Sequence, residues 1–519
     1  MRTFRMRKLR PRTFQIYWDA HAWAGVVGSF LLYVMFFMGA FALFYQELNV
    51  WADPLGVRAG SPTQASAALP PLQPLLEQLD REQHMLGKDR VAFMPEPNGL
   101  RAYWRAGDEQ REFLYAAPTR RLEPLRSELG TFLYEMHYLG PIPNGIYVAG
   151  VASMALFLAL VSGLLIHLKD LVRQWFVFRP ERRTRTWSSD MHKVLGVFGL
   201  PYQLLYAWSG AVLSLSFMLV EPVFVATAFG GDERAARAVR GDTGNAPEPT
   251  GVSTGALPNL DALVAQARRE VPDLSPNWVG IEHVGDTGSS VTVYGEVPGV
   301  PFGTADVLFR AGDGAVLGVN GPNASAFSRF EAWFYGLHYA RFGGYGIKLL
   351  YALLAFATCA VIFTGNLVWL ERRDSRRAHA ANRWLERATA GWCAGLPLAT
   401  AALFLSNRLL PAELPALATV EQAVFWIVWG MALVPPFLWR SSRRVAGVEL
   451  LLAGAALAAS VGIELVTRGQ SLTDPLQRGV SGGLLALACS GCGARLLRPR
   501  AASLRAGNAT SDAQLLPAD

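Results

Sequence analysis

The chain has 519 residues, of which 51% are hydrophobic and only 17% charged, against about 25% charged for a soluble domain. Its net charge of +7 sits in short Lys/Arg clusters beside apolar runs, a membrane-topology signal and not a nucleic-acid surface. All four cysteines (Cys359, Cys393, Cys489 and Cys492) fall inside apolar segments, which argues against a disulfide framework in the polar loops.

Eight apolar runs approach or exceed the length needed to cross a hydrocarbon core of about 30 Å. They cover 22–45, 146–168, 194–220, 346–370, 390–407, 420–439, 446–466 and 479–495. The first follows a basic stretch (Arg2, Arg5, Arg7, Lys8, Arg10 and Arg12) and contains Ala40-Phe41-Ala42, which resembles a cleavage site. Its apolar stretch from Ala22 to Phe44 is nonetheless too long for a signal-peptide core, so it reads as a retained transmembrane helix. Basic residues recur on one side only. Lys169, Arg173, Arg179, Arg182, Arg183, Arg185 and Lys193 join spans two and three. Arg372, Arg373, Arg376, Arg377, Arg383 and Arg387 follow span four. Arg440, Arg443 and Arg444 follow span six, and Arg495, Arg498 and Arg500 follow span eight. The short loops opposite hold only Arg408, Arg468 and Arg478, so both termini are expected in the cytoplasm.

Two long polar segments, 46–145 and 221–345, then face outward. Each opens on a Gly/Pro/Ala/Ser-rich loop and continues with a helix-like stretch, Leu72–Leu79 and Leu260–Val271. Alternating runs follow: Arg101-Ala-Tyr-Trp-Arg and Glu112-Phe-Leu-Tyr in the first, Ser290-Val-Thr-Val-Tyr and Ala305-Asp-Val-Leu-Phe in the second. These read as strands, predicting two small α+β domains outside the membrane.

The chain repeats itself. Sliding span one until His21 meets His192 brings Gly25 onto Gly196, Gly28 onto Gly199, Gly39 onto Gly210 and Ala40 onto Ala211. Sliding span two until His137-Tyr138 meets His338-Tyr339 brings Gly145-Ile146 onto Gly346-Ile347. The unit is helix, outer domain, His-Tyr, helix. Two spans per unit keep both copies in one orientation, related by an axis along the membrane normal. The expected organisation is a first repeat over 1–170, a second over 171–375, and an appended four-helix membrane domain with a tail over 376–519. The fold class is an all-α polytopic bundle of about eight helices carrying the two outer α+β domains.

The repeat pairs the histidines. His21 and His192 lie at the inner ends of spans one and three; His137 and His338 lie at the outer ends of spans two and four. Facing neutral imidazoles, each giving one nitrogen, are what a six-coordinate haem iron requires. A single histidine at a helix end ordinarily just sits in the headgroup zone, but four in two repeat-related pairs favour ligation. His167 is a fifth candidate at the inner end of span two, able to replace His21 or His192 or to contact a propionate; its place in the second copy is Trp369. Gly25, Gly28, Gly196 and Gly199 would clear helix surface for a flat macrocycle, or serve close helix packing. The aromatics Tyr33, Phe36, Phe37, Phe41, Phe44, Tyr206 and Trp208 either line such a group or face lipid.

Other features read more plainly. His84, His283 and His379 are expected at the surface. Cys489-Ser-Gly-Cys492 has redox spacing but lies in an apolar span, and reads as small packing residues. Glu449 and Glu464 are expected to snorkel to the interface. No GxGxxG opening a helix after a strand, no Walker loop and no HExxH occurs, which argues against a nucleotide-binding domain.

Together, His21-Ala-Trp-Ala-Gly25, Asp190-Met-His192-Lys-Val-Leu-Gly196, Met136-His137-Tyr138, Leu337-His338-Tyr339, Phe363-Thr-Gly365 and Trp369-Leu-Glu-Arg-Arg373 resemble the PepSY-associated transmembrane family. The likeness covers about residues 10–375. That family includes iron-regulated bacterial inner-membrane proteins and ferric-siderophore reductases. The resemblance implies PepSY-like outer domains and two b-type haems, ligated by His21, His192, His137 and His338. It further implies electron transfer from a cytoplasmic donor to a periplasmic ferric siderophore. Where the family has an Arg or Lys with a Trp soon after the first histidine, this chain has Ala22-Trp23. Two other classes stand beside this one: a siderophore or iron transporter, and a non-enzymatic regulator built on the outer domains.

Overall fold

The computed structural model describes residues 10–52, 69–96, 99–107, 109–116, 119–168, 184–233, 235–236, 246–322, 326–373, 379–467 and 475–497. The basic residues at 2–8, 169–183, 376–377, 468 and 498–500, which orient the chain in the sequence, lie outside these described residues. Two compact units divide the chain: Met1–Asn382 with Leu409–Gln422, and Arg383–Arg408 with Ala423–Asp519.

Six helices are long and apolar enough to cross a membrane among the described residues: Pro11–Ala42, Gly145–His167, Gly344–Arg373, Ala380–Leu409, Leu417–Leu438 and Ser442–Val466. Among the described residues, six of the expected eight spans are continuous apolar helices of that length. The third expected span is instead α6 (Thr184–Phe198) followed by α7 (Leu200–Leu215), a π turn over Ser216–Val220, and α8 (Glu221–Phe229). Pro201 explains the break, because proline cannot donate to the helix ladder and its ring crowds the preceding turn. The eighth is α16 (Pro475–Leu497), of which Leu485–Leu497 is apolar helix.

In the first unit, α1 (Pro11–Ala42) packs on α5 (Gly145–His167) and on α11 (Gly344–Arg373), while α7 packs on α5 and α6 on α11. The four helices close a ring in which α1, and the broken helix α6–α7, each touch both α5 and α11. Buried side chains pin it: Asn366 Nδ2 donates to Ser29 Oγ (3.2 Å) and Gln203 Nε2 to Thr358 Oγ1 (3.4 Å). From α1 the chain passes through α2 (Tyr45–Ala52), which Lys348 ties to α11 through Glu47 at 2.7 Å.

The two polar segments do not make separate domains. Strands β1 (Arg90–Glu96), β2 (Gly99–Ala106), β3 (Glu109–Ala116) and β4 (Arg121–Pro124) come from the first. Strands β5 (Ser275–Glu282), β6 (Ser290–Glu296), β7 (Thr304–Arg310) and β8 (Val316–Asn320) come from the second. They join as one eight-stranded antiparallel sheet in the order β4-β3-β2-β1-β5-β6-β7-β8. The seam pairs Arg90 with Glu282, Val91 with Ile281, Ala92 with Gly280 and Phe93 with Val279, and Arg90 Nε reaches Glu282 Oε1 at 2.5 Å. The physical reason is an edge: each four-stranded meander alone would leave the unpaired groups of β1 or β5 open, and pairing them removes both liabilities.

Helices α3 (Gln73–Gln83) and α9 (Leu260–Glu270) cover one face of this sheet and share its core with Phe93, Phe113, Val279, Ile281, Val293 and Phe309. Each such fully buried side chain contributes about 1.5–3 kcal/mol. The helices cap each other across the seam. Asp261 accepts from Leu72 N (2.7 Å) and Gln73 N (3.3 Å), and Gln73 Oε1 accepts from Leu260 N (3.0 Å). Orphan amides at each helix start, Leu72 and Gln73 N in one and Leu260 N in the other, are thus satisfied by the other copy.

In the second unit, α12 (His379–Leu409), α13 (Leu417–Leu433), a short α14 (Pro435–Leu438), α15 (Ser442–Thr467) and α16 form the appended helices; Leu409–Gln422 itself groups with the first unit. Ala390 and Ala394 meet Ala446, and Ser442 Oγ donates to Glu386 Oε1 at 2.8 Å. α15 and α16 approach through Gly447, Gly454, Ser490 and Gly493, so Ser490, inside the Cys489–Cys492 stretch, packs as expected of small residues. Glu449 is a correction. It does not snorkel: it is 5% exposed and, among the described residues, neither carboxyl oxygen has a hydrogen-bond partner. About two turns separate it from Ser442 at the helix start, roughly 10 Å at about 1.5 Å per residue, beyond a glutamate's reach.

Candidate functional site: two facing histidine pairs

The four repeat-related histidines come together as two pairs. His21 on α1 faces His192 on α6, with ring centroids 6.0 Å apart at 74°. His137, the last residue of α4 (Leu129–His137), faces His338, the last residue of α10 (Ala326–His338), at 6.3 Å and 48°. The second pair lies on the sheet side of the bundle and the first on the far side. His21 and Met35, whose carbonyl holds His137, share α1 and lie roughly 21 Å apart along it at about 1.5 Å per residue.

Each ring is fixed through Nδ1. His21 Nδ1–H donates to the carbonyl of Ala159 (2.7 Å), His192 to that of Val361 (2.9 Å), and His137 to that of Met35 (2.7 Å). His338 Nδ1 bonds Ser209 Oγ at 2.7 Å. A carbonyl only accepts, so the proton resides on Nδ1 and Nε2 is left as the basic nitrogen. That is the arrangement of a metal-ligating histidine, whose other nitrogen is oriented by a protein acceptor.

Glycines seat the rings. A Cβ on Gly163 of α5 would lie 2.9 Å from His21 Cε1 and Nδ1, and one on Gly365 of α11 would lie 3.1 and 3.3 Å from the same atoms of His192. Gly39 does this for His137, at 2.8 Å from Nδ1. Among the described residues Gly25 has nothing within 4 Å and Gly196 only Val361 Cγ1 at 3.9 Å, so these two leave space one turn from the far-side histidines. Gly28 and Gly199 instead pack closely, on Leu32 and Gln203. On the sheet side, the turns after His137 and His338 repeat as well: Leu139 and Ala340 both take positive φ, 61° and 51°. Gly145 is obligatory there, because a Cβ would meet the Leu139 carbonyl oxygen.

The sheet-side pair opens on a cavity of about 370 Å³ lined by Leu32, Phe36, Tyr134, Tyr138, Tyr206 and Tyr339, among others, a volume within the usual roughly 300–1,000 Å³ of ligand pockets. Tyr134 and Tyr335, both in its wall, were not singled out from sequence. The signal was present, since the slide of His137 onto His338 also carries Tyr134 onto Tyr335. Of the two alternatives for these aromatics, Phe36 and Tyr206 line this cavity, whereas Trp208 is exposed. His167 ends α5 one turn beyond Gly163, on the far side. Its counterpart Trp369 packs on Trp23 (5.1 Å) and lies under Arg373 (3.9 Å). Trp23 also lies 5.4 Å from the Arg373 guanidinium, so the cation near the first histidine comes from α11 and not from position 22. His84 is exposed and His283 half-buried, both away from these pairs; the side chain of His379 lies outside the described residues.

The donor set fits a bis-histidine haem. A metal–nitrogen bond of about 2.0 Å plus about 1.1 Å from Nε2 to the ring centre, taken twice, gives about 6.2 Å between centroids, close to the 6.0 and 6.3 Å found. Among the described residues no group of three or more His, Cys, Asp or Glu is arranged to hold a bare metal ion.

An uncharacterized protein of Pseudomonas aeruginosa, PA4219, is 29% identical over 337 residues, covering 61% of this chain and 82% of that protein. The PepSY-associated TM region matches residues 18–372, a stretch that holds all four paired histidines and both halves of the sheet. The chain therefore belongs to the PepSY-associated transmembrane family.

Proposed function

We propose that this protein is a di-haem b oxidoreductase of the bacterial inner membrane. It takes electrons from a cytoplasmic donor and reduces a ferric siderophore on the periplasmic side, releasing Fe(II) for uptake. The observation that carries this reading is the pairing of four histidines, each with Nδ1 tied down and with its ring centroid 6.0 or 6.3 Å from that of a partner imidazole. His21 and His192 would hold one haem and His137 and His338 the other, and each haem would supply reversible one-electron chemistry. The chain orients the ligands through Ala159, Val361, Met35 and Ser209, and it excludes water with an apolar bundle. With haem in both sites, their separation along α1 would call for electrons to be relayed from one to the other. Siderophores hold Fe(III) through hard oxygen donors, and reduction to the softer Fe(II) weakens that grip. The fused sheet, above the His137/His338 pair, forms the docking face for the chelate, with both termini on the opposite, cytoplasmic side.

One observation favours a transporter as the second reading: the break between α6 and α7 resembles the interrupted helices that line substrate sites. Its backbone argues otherwise. Gly199 N still donates to Leu195 O and Gln203 N to Gly199 O, both at 2.9 Å, so the helical ladder runs through Gly199 at this kink. Purified protein should be red, with a Soret band and sharp α and β bands on dithionite reduction. The reduced form should be reoxidised by a ferric siderophore with Fe(II) caught by ferrozine. Colourless protein from haem-replete cells would sink the proposal and bring the transporter forward.

A further inference from the structure

The four histidines are not held alike. Three give Nδ1–H to backbone carbonyls, but His338 gives its own to a side chain, the hydroxyl of Ser209. Ser209 Oγ donates onward to the Leu205 carbonyl one turn back, at 2.7 Å. Its single proton is thereby used, and its lone pair must receive the histidine N–H. The result is a directed chain, His338 Nδ1–H to Ser209 Oγ–H to Leu205 O, in which each bond polarises the next. Ser209 is 0% exposed, so water does not substitute for it. The same helix holds His338 a second time, since Tyr206 Oη donates to the His338 carbonyl at 2.7 Å.

The repeat shows why the copies differ. Sliding His21 onto His192 carries Met38 onto Ser209, so the first copy has no hydroxyl there. Gly39 instead lets the α1 backbone lie against His137, whose nitrogen finds the Met35 carbonyl. The matching Gly210 faces Ser153 of α5, its would-be Cβ 2.7 Å from that hydroxyl. The space Gly210 clears is thus taken by α5, and a side chain of α7 reaches His338.

We propose that Ser209 is the positioning residue of the sheet-side site, fixing the tautomer of His338 and setting how strongly its Nε2 donates to iron. This rests on the haem reading above. An acceptor on Nδ1–H raises the basicity of the ligating nitrogen, and a stronger axial donor stabilises the ferric form. A carbonyl acceptor is built into the backbone, whereas this one is removable by a single substitution. Ser209→Ala leaves the Nδ1–H unpaired in a dry site, weakens the donor and favours the ferrous form of that haem alone.

The test is a spectroelectrochemical titration of the purified full-length chain as wild type, Ser209→Ala and Ser209→Thr, with His338→Ala identifying the sheet-side step by its loss. In Ser209→Ala that step should move upward by about tenfold in its equilibrium constant, about 59 mV for a one-electron couple, while the far-side step stays put. Ser209→Thr, which keeps the hydroxyl, should titrate as wild type. Loss of the sheet-side haem in Ser209→Ala with retention in Ser209→Thr supports the same role, since the hydroxyl is what the two variants do not share. Unmoved steps in Ser209→Ala, a downward shift, or equal shifts in both variants overturn it, the last by pointing to packing. Wild-type protein without haem is a different failure: it removes the reading of the sites, and this inference with it.

Discussion

Gly163 is where the proposed ligating pose of His21 is most open to test. Its would-be Cβ lies 2.9 Å from His21 Cε1 and Nδ1, well inside the ordinary contact range that begins at 3.4 Å. The ring cannot simply back away, because Nδ1 is bonded at 2.7 Å to Ala159 O on the preceding turn of the same helix. Gly163→Ala therefore either swings the imidazole off that carbonyl, leaving a buried donor unpaired at a cost of about 1–3 kcal/mol, or pries α1 from α5. Both redirect Nε2, and losing a ligand-orienting contact typically costs about 10–100-fold in affinity. Gly365→Ala is the symmetry-related comparison with milder crowding, 3.1 and 3.3 Å from His192. Gly346→Ala is the control: its Cβ meets nothing within 4 Å, and alanine in a helix gains about 0.5–1 kcal/mol over glycine. The assay is the haem-to-protein ratio and the α-band of purified protein, read over graded haem supply. Gly163→Ala should lose the far-side haem first, Gly365→Ala less, and Gly346→Ala not at all. Full haem content and an unshifted band in a Gly163→Ala protein that melts like wild type would refute the reasoning.

Haem loss should also follow the pairs. His137→Ala or His338→Ala should empty one site, and His21→Ala or His192→Ala the other, while His167→Ala should keep both; an emptied far-side site in His167→Ala would reassign that ligand. Asp261→Ala uncaps α3 across the sheet seam and should lower stability by about 1 kcal/mol, read as an earlier thermal melt; an unchanged melt would show that water caps those amides equally well. Burial, then the neighbouring Glu112, Glu135 and Glu421, push the Glu128 carboxyl up to about 7 against the opposing pull of Arg101. Because the folded state there binds its proton more tightly than the unfolded chain, stability should be full below about 4.3 and decline as pH rises toward 7. Glu128→Gln should flatten that part of the curve. A reporter fused after Asp519 should read as cytoplasmic, and one inserted near Gly244, which lies outside the described residues, as periplasmic; the reverse would invert the direction of electron flow.

By itself the sequence determined the membrane character, the duplicated unit and the four histidines. Each is a local or periodic signal: apolar length, recurrence at a fixed offset, and residue type at a helix end. Strands at 101–105 and 290–294 and the helices opening near Leu72 and Leu260 were legible from alternation and period for the same reason. Only the tertiary structure decided that the two outer segments fuse through β1 and β5, since nothing in either strand's own residues names its partner. The depth of Glu449 likewise follows from helix register against neighbours. So does the second contact of each histidine: Ala159, Val361 and Met35 act through backbone carbonyls, which carry no sequence signature, and Ser209 reads as an ordinary helix serine until His338 is placed 2.7 Å from it. A ligand's identity is written in one residue, whereas its tautomer and aim are set by whatever the fold brings to its other nitrogen.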